Sequence, residues 1–210
     1  MSSITIIGAG NMARGIGARA VAGGHDVQIL ARDAAKASAL ADELGGNATS
    51  GTLGDPISGD VVVLALYYDI AKDVAKQHAD ALTGKTVVDI SNPIDTATFA
   101  GLVVPADSSA AQQIAQIVPG ANVVKAFNTT FAGTLAAGEV DGQPLDVAIA
   151  GDDDSAKQAV SAFIESAGLR PLDVGPLANA RWLEGIGFLH IGLQMSRGTN
   201  FGTAVKLIGG

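Results

Sequence analysis

The 210-residue chain carries 13 Lys and Arg against 21 Asp and Glu, a formal charge of −8, and contains no cysteine. That balance excludes the basic footprint of a nucleic-acid binder and argues against an anionic membrane surface as partner. The absent cysteine excludes disulfide scaffolds, Cys-type zinc sites and thiolate nucleophiles, and the length suits one domain that needs no such staple.

The first residues, Met1 to Gly8, have no basic segment before their apolar run, so no signal peptide is expected. The longest purely apolar run, residues 61–68, falls far short of a membrane span. A soluble, cytoplasmic protein with no membrane partner is the expectation.

Strands are predicted over residues 4–7, 27–30, 61–66 and 86–90, each near-continuously apolar, as parallel strands covered on both faces require. Helices are predicted between them over 11–22, 33–44 and 69–82, the last behind Asp69 as its N-cap. Residues 99–109 read as loop and 110–118 as a short helix. Strands follow over 122–125 and 145–150, with Gly138, Asp141, Gly142 and Pro144 making the turns between them. An amphipathic helix over 154–167, a strand over 170–174 and a helical tail from about 176 complete the chain. The alternation predicts a single α/β domain: a Rossmann-type, doubly wound, mainly parallel sheet with a helical C-terminal tail.

The most informative segment is Gly8-Ala9-Gly10-Asn11-Met12-Ala13, which follows the first strand and opens the first helix. Gly8 suits a tight turn, Gly10 admits a pyrophosphate close to the backbone, and Ala13 allows close packing of helix on strand. The helix N-terminus then offers free N–H groups to phosphates. An NAD-type site places an acid at the end of the second strand to bind the ribose 2′-OH. Here that strand runs into Leu30-Ala31-Arg32, and Lys36 follows one helical turn later. A guanidinium suits a 2′-phosphate, so the cofactor expected is NADP(H) rather than NAD. Asp33 reads as the N-cap of the second helix.

At this point the chain resembles the coenzyme F420-dependent NADP oxidoreductase family, which includes the reductase domain of the STEAP-type metalloreductases. The resemblance is carried by residues 6–12, by Asp89-Ile90-Ser91-Asn92-Pro93, by residues 123–129, by Gly151-Asp152-Asp153-Asp154 and, most specifically, by residues 168–177. It implies NADP(H) on residues 8–13 and on Arg32 and Lys36, with Ala65, Leu66, Tyr67 and Tyr68 along the pyrophosphate and nicotinamide ribose. It also implies Asn92, Pro93, Phe127 and Asn128 beside the nicotinamide, where F420 or a flavin would stack. A homodimer with C-terminal helices in the subunit contact is implied as well. Read from the residues alone, Tyr67 and Tyr68 serve equally as helix packing, and Asn92-Pro93 as a plain turn.

No acid–base constellation stands out. His25 lies in a turn at the sheet end away from the expected cofactor, His78 on the polar side of a helix, and His190 reads as a core histidine. Asp152 to Asp154 reads as a helix start rather than a metal site, and Arg181 with Glu184 as a surface pair at i,i+3. Direct hydride transfer between a nicotinamide and a deazaflavin or flavin needs no such groups, whereas oxidation of an alcohol does. The function expected is therefore an NADPH-dependent oxidoreductase with a small-molecule acceptor, F420 or flavin-like. Reduction of a ferric complex, or of an imine such as pyrroline-5-carboxylate, and a non-catalytic NADPH sensor are the alternatives.

Overall fold

The computed structural model describes residues 2–209. Strand β1 (Ser3–Ile7) and helix α1 (Asn11–Ala22) lead into β2 (Asp26–Ala31), α2 (Ala34–Leu44) and a short β3 (Thr49–Thr52). Then come β4 (Val61–Leu64), α3 (Tyr68–Gln77), α4 (Ala79–Leu82), β5 (Thr86–Asp89), α5 (Ala110–Ile117), β6 (Asn122–Lys125) and α6 (Ala132–Ala137). The hairpin β7 (Glu139–Val140) and β8 (Gln143–Pro144) precedes β9 (Asp146–Gly151), α7 (Asp154–Ser166), β10 (Arg170–Asp173), a 3-10 turn (Leu177–Asn179) and α8 (Ala180–Arg197).

The main sheet has the order β10-β9-β6-β5-β4-β1-β2-β3. Strands β1 to β6 are mutually parallel, and β9 pairs antiparallel with β6 through Val124↔Gly151 and Lys125↔Ala150. The Rossmann-type expectation is met, with β9 and β10 as a reversed extension. Ile4, Ile6, Ile7 and all of β4 are buried because helices cover both faces. One apolar cluster joins Ile16, Ala37, Val160 and Phe163 to one face, and a second joins Leu82, Ile114 and Leu183 to the other.

Local signals decide most boundaries. Asp33 accepts from the amides of Ala35 and Lys36, and Asp153 from that of Ala156 at 2.7 Å, so both acids act as N-caps. Asp69 is not a cap: Tyr67 holds that position in extended backbone, and Asp69 falls in the first turn of α3. The predicted helix over 69–82 is broken at His78, which ends α3 and starts α4. The strand predicted to Leu66 ends at Leu64, where the chain turns toward the helix. Strand β3 has no apolar residue to announce it and is held by backbone pairing with β2 at the sheet edge.

Candidate cofactor site

The sheet order reverses between β1 and β4, and ligands of open α/β sheets lie outside the carboxyl ends of the strands at such a point. Gly8 sits there with φ 127°, donating its amide to Leu30 O at 2.8 Å. A Cβ on Gly8 would stand 2.4 Å from the Ala65 carbonyl oxygen, so no other residue fits. Gly10 is the N-cap of α1 and offers no side-chain acceptor to the free amides of the first turn. No atom lies within 4 Å of where its Cβ would be, so the approach to those amides is open. Ala9 and Met12 are half-buried, Asn11 is exposed, and Ala13 is fully buried against the core. These residues suit a diphosphate, which needs several N–H donors and no competing cap.

At the end of β2, Ala31 is buried and Arg32 is exposed, with no polar partner among the described residues. Lys36 is exposed one turn into α2, its Nζ 3.9 Å from Asp33. Both cations are therefore exposed within one helical turn of each other, just beyond the carboxyl end of β2. At the end of β4, Ala65 and Leu66 are half-buried and Tyr67 is 82% exposed. Tyr68 is different: its hydroxyl donates to Gln113 Oε1, Lys72 caps its ring at 4.2 Å, and Val104 and Ala110 pack around it. Its side chain is occupied in packing α3 on α5, so only Tyr67 of the two tyrosines faces outward.

Asn92 and Asn128 form a reciprocal pair beyond β5 and β6. Asn92 Nδ2 donates to Asn128 O at 2.8 Å, and Asn128 Nδ2 donates to Asn92 Oδ1 and to Leu183 O, each at 2.9 Å. Helix α8 comes so close here that a Cβ on Gly187 would meet Asn92 Oδ1 at 2.4 Å. Pro93 is buried beside them. The expectation for the Phe127 ring is corrected. With φ 61° the backbone turns the ring into the core, 1% exposed, against Phe163 at 5.8 Å between centroids. Only the backbone of Phe127 is left to face a ligand.

Beneath this pair lies a buried ionic cluster that the sequence reading missed. Lys125 Nζ reaches Asp89 Oδ2 at 2.7 Å, Glu184 Oε1 at 2.8 Å and the Ser91 carbonyl, which uses all three of its donors. Glu184 also accepts from the Ala110 and Ala111 amides at the start of α5. Burial alone would lower the Lys125 pKa, but the carboxylates of Asp89 and Glu184 outweigh it and hold it above the usual lysine value. Burial, with Asp89 nearby, pushes Glu184 up against the pull of Lys125. The expected surface pair of Arg181 and Glu184 is therefore overturned. Arg181 instead donates to Pro105 O and Ser108 O.

The three histidines lie apart from one another. His25 bonds Ser166 Oγ at 2.7 Å at the far end of β2. His190 is buried between Thr129 O and Thr203 Oγ1, over the ring of Phe131, and burial holds its pKa below the usual value. Among the described residues there is no metal-binding cluster, and no helix is long and apolar enough to cross a membrane.

Comparison with known proteins adds to this geometry. The sequence profile of the family described as NADP oxidoreductase, coenzyme F420-dependent, matches residues 3–93. The chain is 31% identical to the F420-dependent NADP reductase of Methanothermobacter thermautotrophicus, over 93% of this chain and 90% of that one. It is 33% identical to the metalloreductase STEAP3 of Rattus norvegicus over 87% of this chain, and spans 36% of that protein's length. A crystal structure from Arthrobacter sp. FB24, assigned as an F420-dependent NADP reductase, superposes over all of both chains with TM-score 0.88 and 26% identity.

Proposed function

We propose a function for a chain that belongs to the coenzyme F420-dependent NADP oxidoreductases: it binds NADP(H) and passes hydride between that cofactor and a deazaflavin or flavin-like acceptor. The carrying observation is the uncapped α1 N-terminus behind Gly8, whose missing Cβ leaves room only for the Ala65 carbonyl. The residues for the diphosphate are Gly8, Ala9, Gly10, Asn11, Met12 and Ala13. Arg32 and Lys36 take the 2′-phosphate, an arrangement that favours NADPH over NADH because the guanidinium has no partner of its own to leave.

Bound NADPH supplies the hydride and a planar acceptor receives it. The protein's part is to hold two rings in register and to keep water away. Ala65, Leu66 and Tyr67 border the ribose and diphosphate, and the Asn92–Asn128 pair with Pro93 gives a rigid polar wall beside the nicotinamide. That wall is fixed from behind by Leu183 O and Gly187 of α8. A cytoplasmic homodimer is part of the same reading. Trp182, Ile186, Leu189 and Leu193 line one exposed face of α8, an apolar stripe that suits a second copy of the chain.

Fluorescence titration with NADPH and NADH, followed by anaerobic stopped-flow with F420, FMN and ferric citrate, tests the reading. Preference for NADPH and turnover with F420 or FMN is expected. Turnover with ferric citrate alone would redirect the acceptor to metal complexes. Tight NADPH binding with no turnover would leave a nucleotide-sensing module.

A further inference from the structure

The chain segments that build the Asn92–Asn128 wall all pass one buried ammonium just before they reach it. Lys125, the last residue of β6, stands three positions ahead of Asn128, and its side chain is fully buried. It donates to Ser91 O, the carbonyl of the peptide that joins Ser91 to Asn92. The Ser91 amide donates to Asp89 Oδ1 at 3.0 Å, so the backbone of Ser91 is held on both sides. The second Lys125 bond, at 2.7 Å, goes to Asp89 Oδ2 itself. The third, at 2.8 Å, goes to Glu184 Oε1. Glu184 follows directly on Leu183, whose carbonyl accepts from Asn128 Nδ2.

Stability alone does not call for such a cluster, because well-packed apolar side chains often match or better a buried ion pair. What apolar side chains lack is direction. The ammonium has three donors, and each is used on a different acceptor: the end of β5, the chain beyond it, and α8. Neither Asp89 nor Glu184 exposes its side chain, so water does not stand in for a displaced acceptor. The wall above is not built for stability alone either. Asn128 Oδ1 is buried with no hydrogen-bond partner among the described residues, a state that costs folding free energy.

Resting on the function proposed above, we infer that Lys125 is a positioning residue for hydride transfer: through Ser91 and Glu184 it sets Asn92 and Asn128 beside the nicotinamide. Its influence falls on the ring and not on the phosphates. Residues 8–13 and Arg32 lie at the ends of β1 and β2, on the other side of β4 in the sheet. A displacement of about 1 Å in groups that align reacting atoms can cost on the order of 100-fold in rate.

The test uses the full chain with NADPH and with 2′-phospho-ADP-ribose, which carries the same phosphates but no nicotinamide. Calorimetry reads affinity, the nicotinamide emission of bound NADPH reads how firmly the ring is held, and stopped-flow reads hydride transfer to F420 or FMN. In Lys125→Met, at a temperature where it stays folded, both affinities should hold within about threefold while transfer slows about tenfold or more. Emission of its bound NADPH should fall toward that of free NADPH. Glu184→Gln, which keeps the shape and removes the charge, should shift emission and rate in the same direction by less. Leu82→Ala is the control, since Leu82 is fully buried just before β5, at the strand end opposite the wall. It should lower Tm comparably and leave emission and rate as they were. Normal emission and rate in Lys125→Met, or emission and rate that simply follow Tm across the three variants, would overturn the inference and leave the proposed function standing. An unmodified protein that does not bind NADPH, or passes no hydride to F420 or FMN, would bring down the proposed function and this inference with it.

Discussion

Lys125 of β6 and Glu184 of α8 meet at 2.8 Å with neither side chain exposed to solvent. The pair, with Asp89, joins two central strands to α8 and to the first amides of α5. Removing one partner of such a cluster leaves an uncompensated buried charge, which costs about 3–5 kcal/mol. Lys125→Met should therefore lower the urea-unfolding free energy by about that much, and Lys125→Met with Glu184→Leu should lose less than the sum of the single changes. A loss below about 1 kcal/mol in the single variant would mean that the cluster is solvated. Because the lysine pKa is raised on folding, its contribution is complete below the ordinary value of 10.5 and fades only as pH climbs through the higher folded value.

The inward turn of Phe127 changes what its substitution should do. Its ring packs on Phe163 in the core, so Phe127→Ala should cost about 3–5 kcal/mol of stability through a cavity. The effect should appear in thermal and denaturant unfolding. At a temperature where the variant stays folded, NADPH affinity should hold within a few-fold. A stable variant with NADPH binding lost would return the ring to the cofactor site.

These two residues also mark where the sequence stops being informative. The Gly8 turn and the caps at Asp33 and Asp153 were legible because each depends on residues within a few positions along the chain. Burial of apolar strands was legible for the same reason. Glu184 was not, since its partner is 59 residues away and the i,i+3 spacing to Arg181 offered a nearer one. Phe127 lies where a site residue belongs in the Rossmann plan, but a positive φ reverses its ring, and nothing in Ala126-Phe127-Asn128 signals that. Strand β3, Thr-Ser-Gly-Thr, owes its existence to the open edge of β2.

Asp146 holds the C-terminal segment. Arg170 contributes two bonds, at 2.8 and 2.6 Å, Lys206 Nζ one at 2.9 Å and the Leu207 amide one at 2.8 Å. Burial pushes its carboxyl up, but these donors prevail and hold the pKa at about 2, against 3.8 ordinarily. A depressed acid stabilises above its unfolded value, so this contribution, about 2 kcal/mol, should be lost as pH falls from about 4 through about 2. Urea unfolding across that range should show the slope, and Asp146→Asn should flatten it. An equal slope in the variant would assign the acid sensitivity elsewhere.

Arg32 is the test of cofactor choice. Losing a charge-assisted contact to a phosphate costs about 1.5–3 kcal/mol, or roughly tenfold or more in affinity. Arg32→Ala should weaken NADPH by that factor and leave NADH nearly unchanged, since NADH has no 2′-phosphate to contact. Lys36, 74% exposed and only 3.9 Å from Asp33, should matter less, because a solvated ammonium interacts weakly. Fluorescence titrations at two ionic strengths separate the pair, as the Lys36 contribution should shrink with added salt. Equal affinity of the unmodified protein for NADPH and NADH would sink the assignment.

His190 decides whether a proton moves. It is buried, its ring is held by Thr129 O and Thr203 Oγ1, and its pKa is lowered by burial, so it is neutral at pH 7. A group held between two partners in this way stabilises the loop after β6 without offering a proton to the cleft. His190→Gln keeps a donor and an acceptor of similar reach, and turnover should stay within a few-fold, flat between pH 6 and 8. An enzyme that relied on His190 as its acid would lose about 100-fold or more and show that loss in the pH profile. Should the glutamine variant fold, bind NADPH normally and yet collapse in turnover, hydride transfer alone would not describe the reaction, and His190 would have to face the substrate in the working conformation.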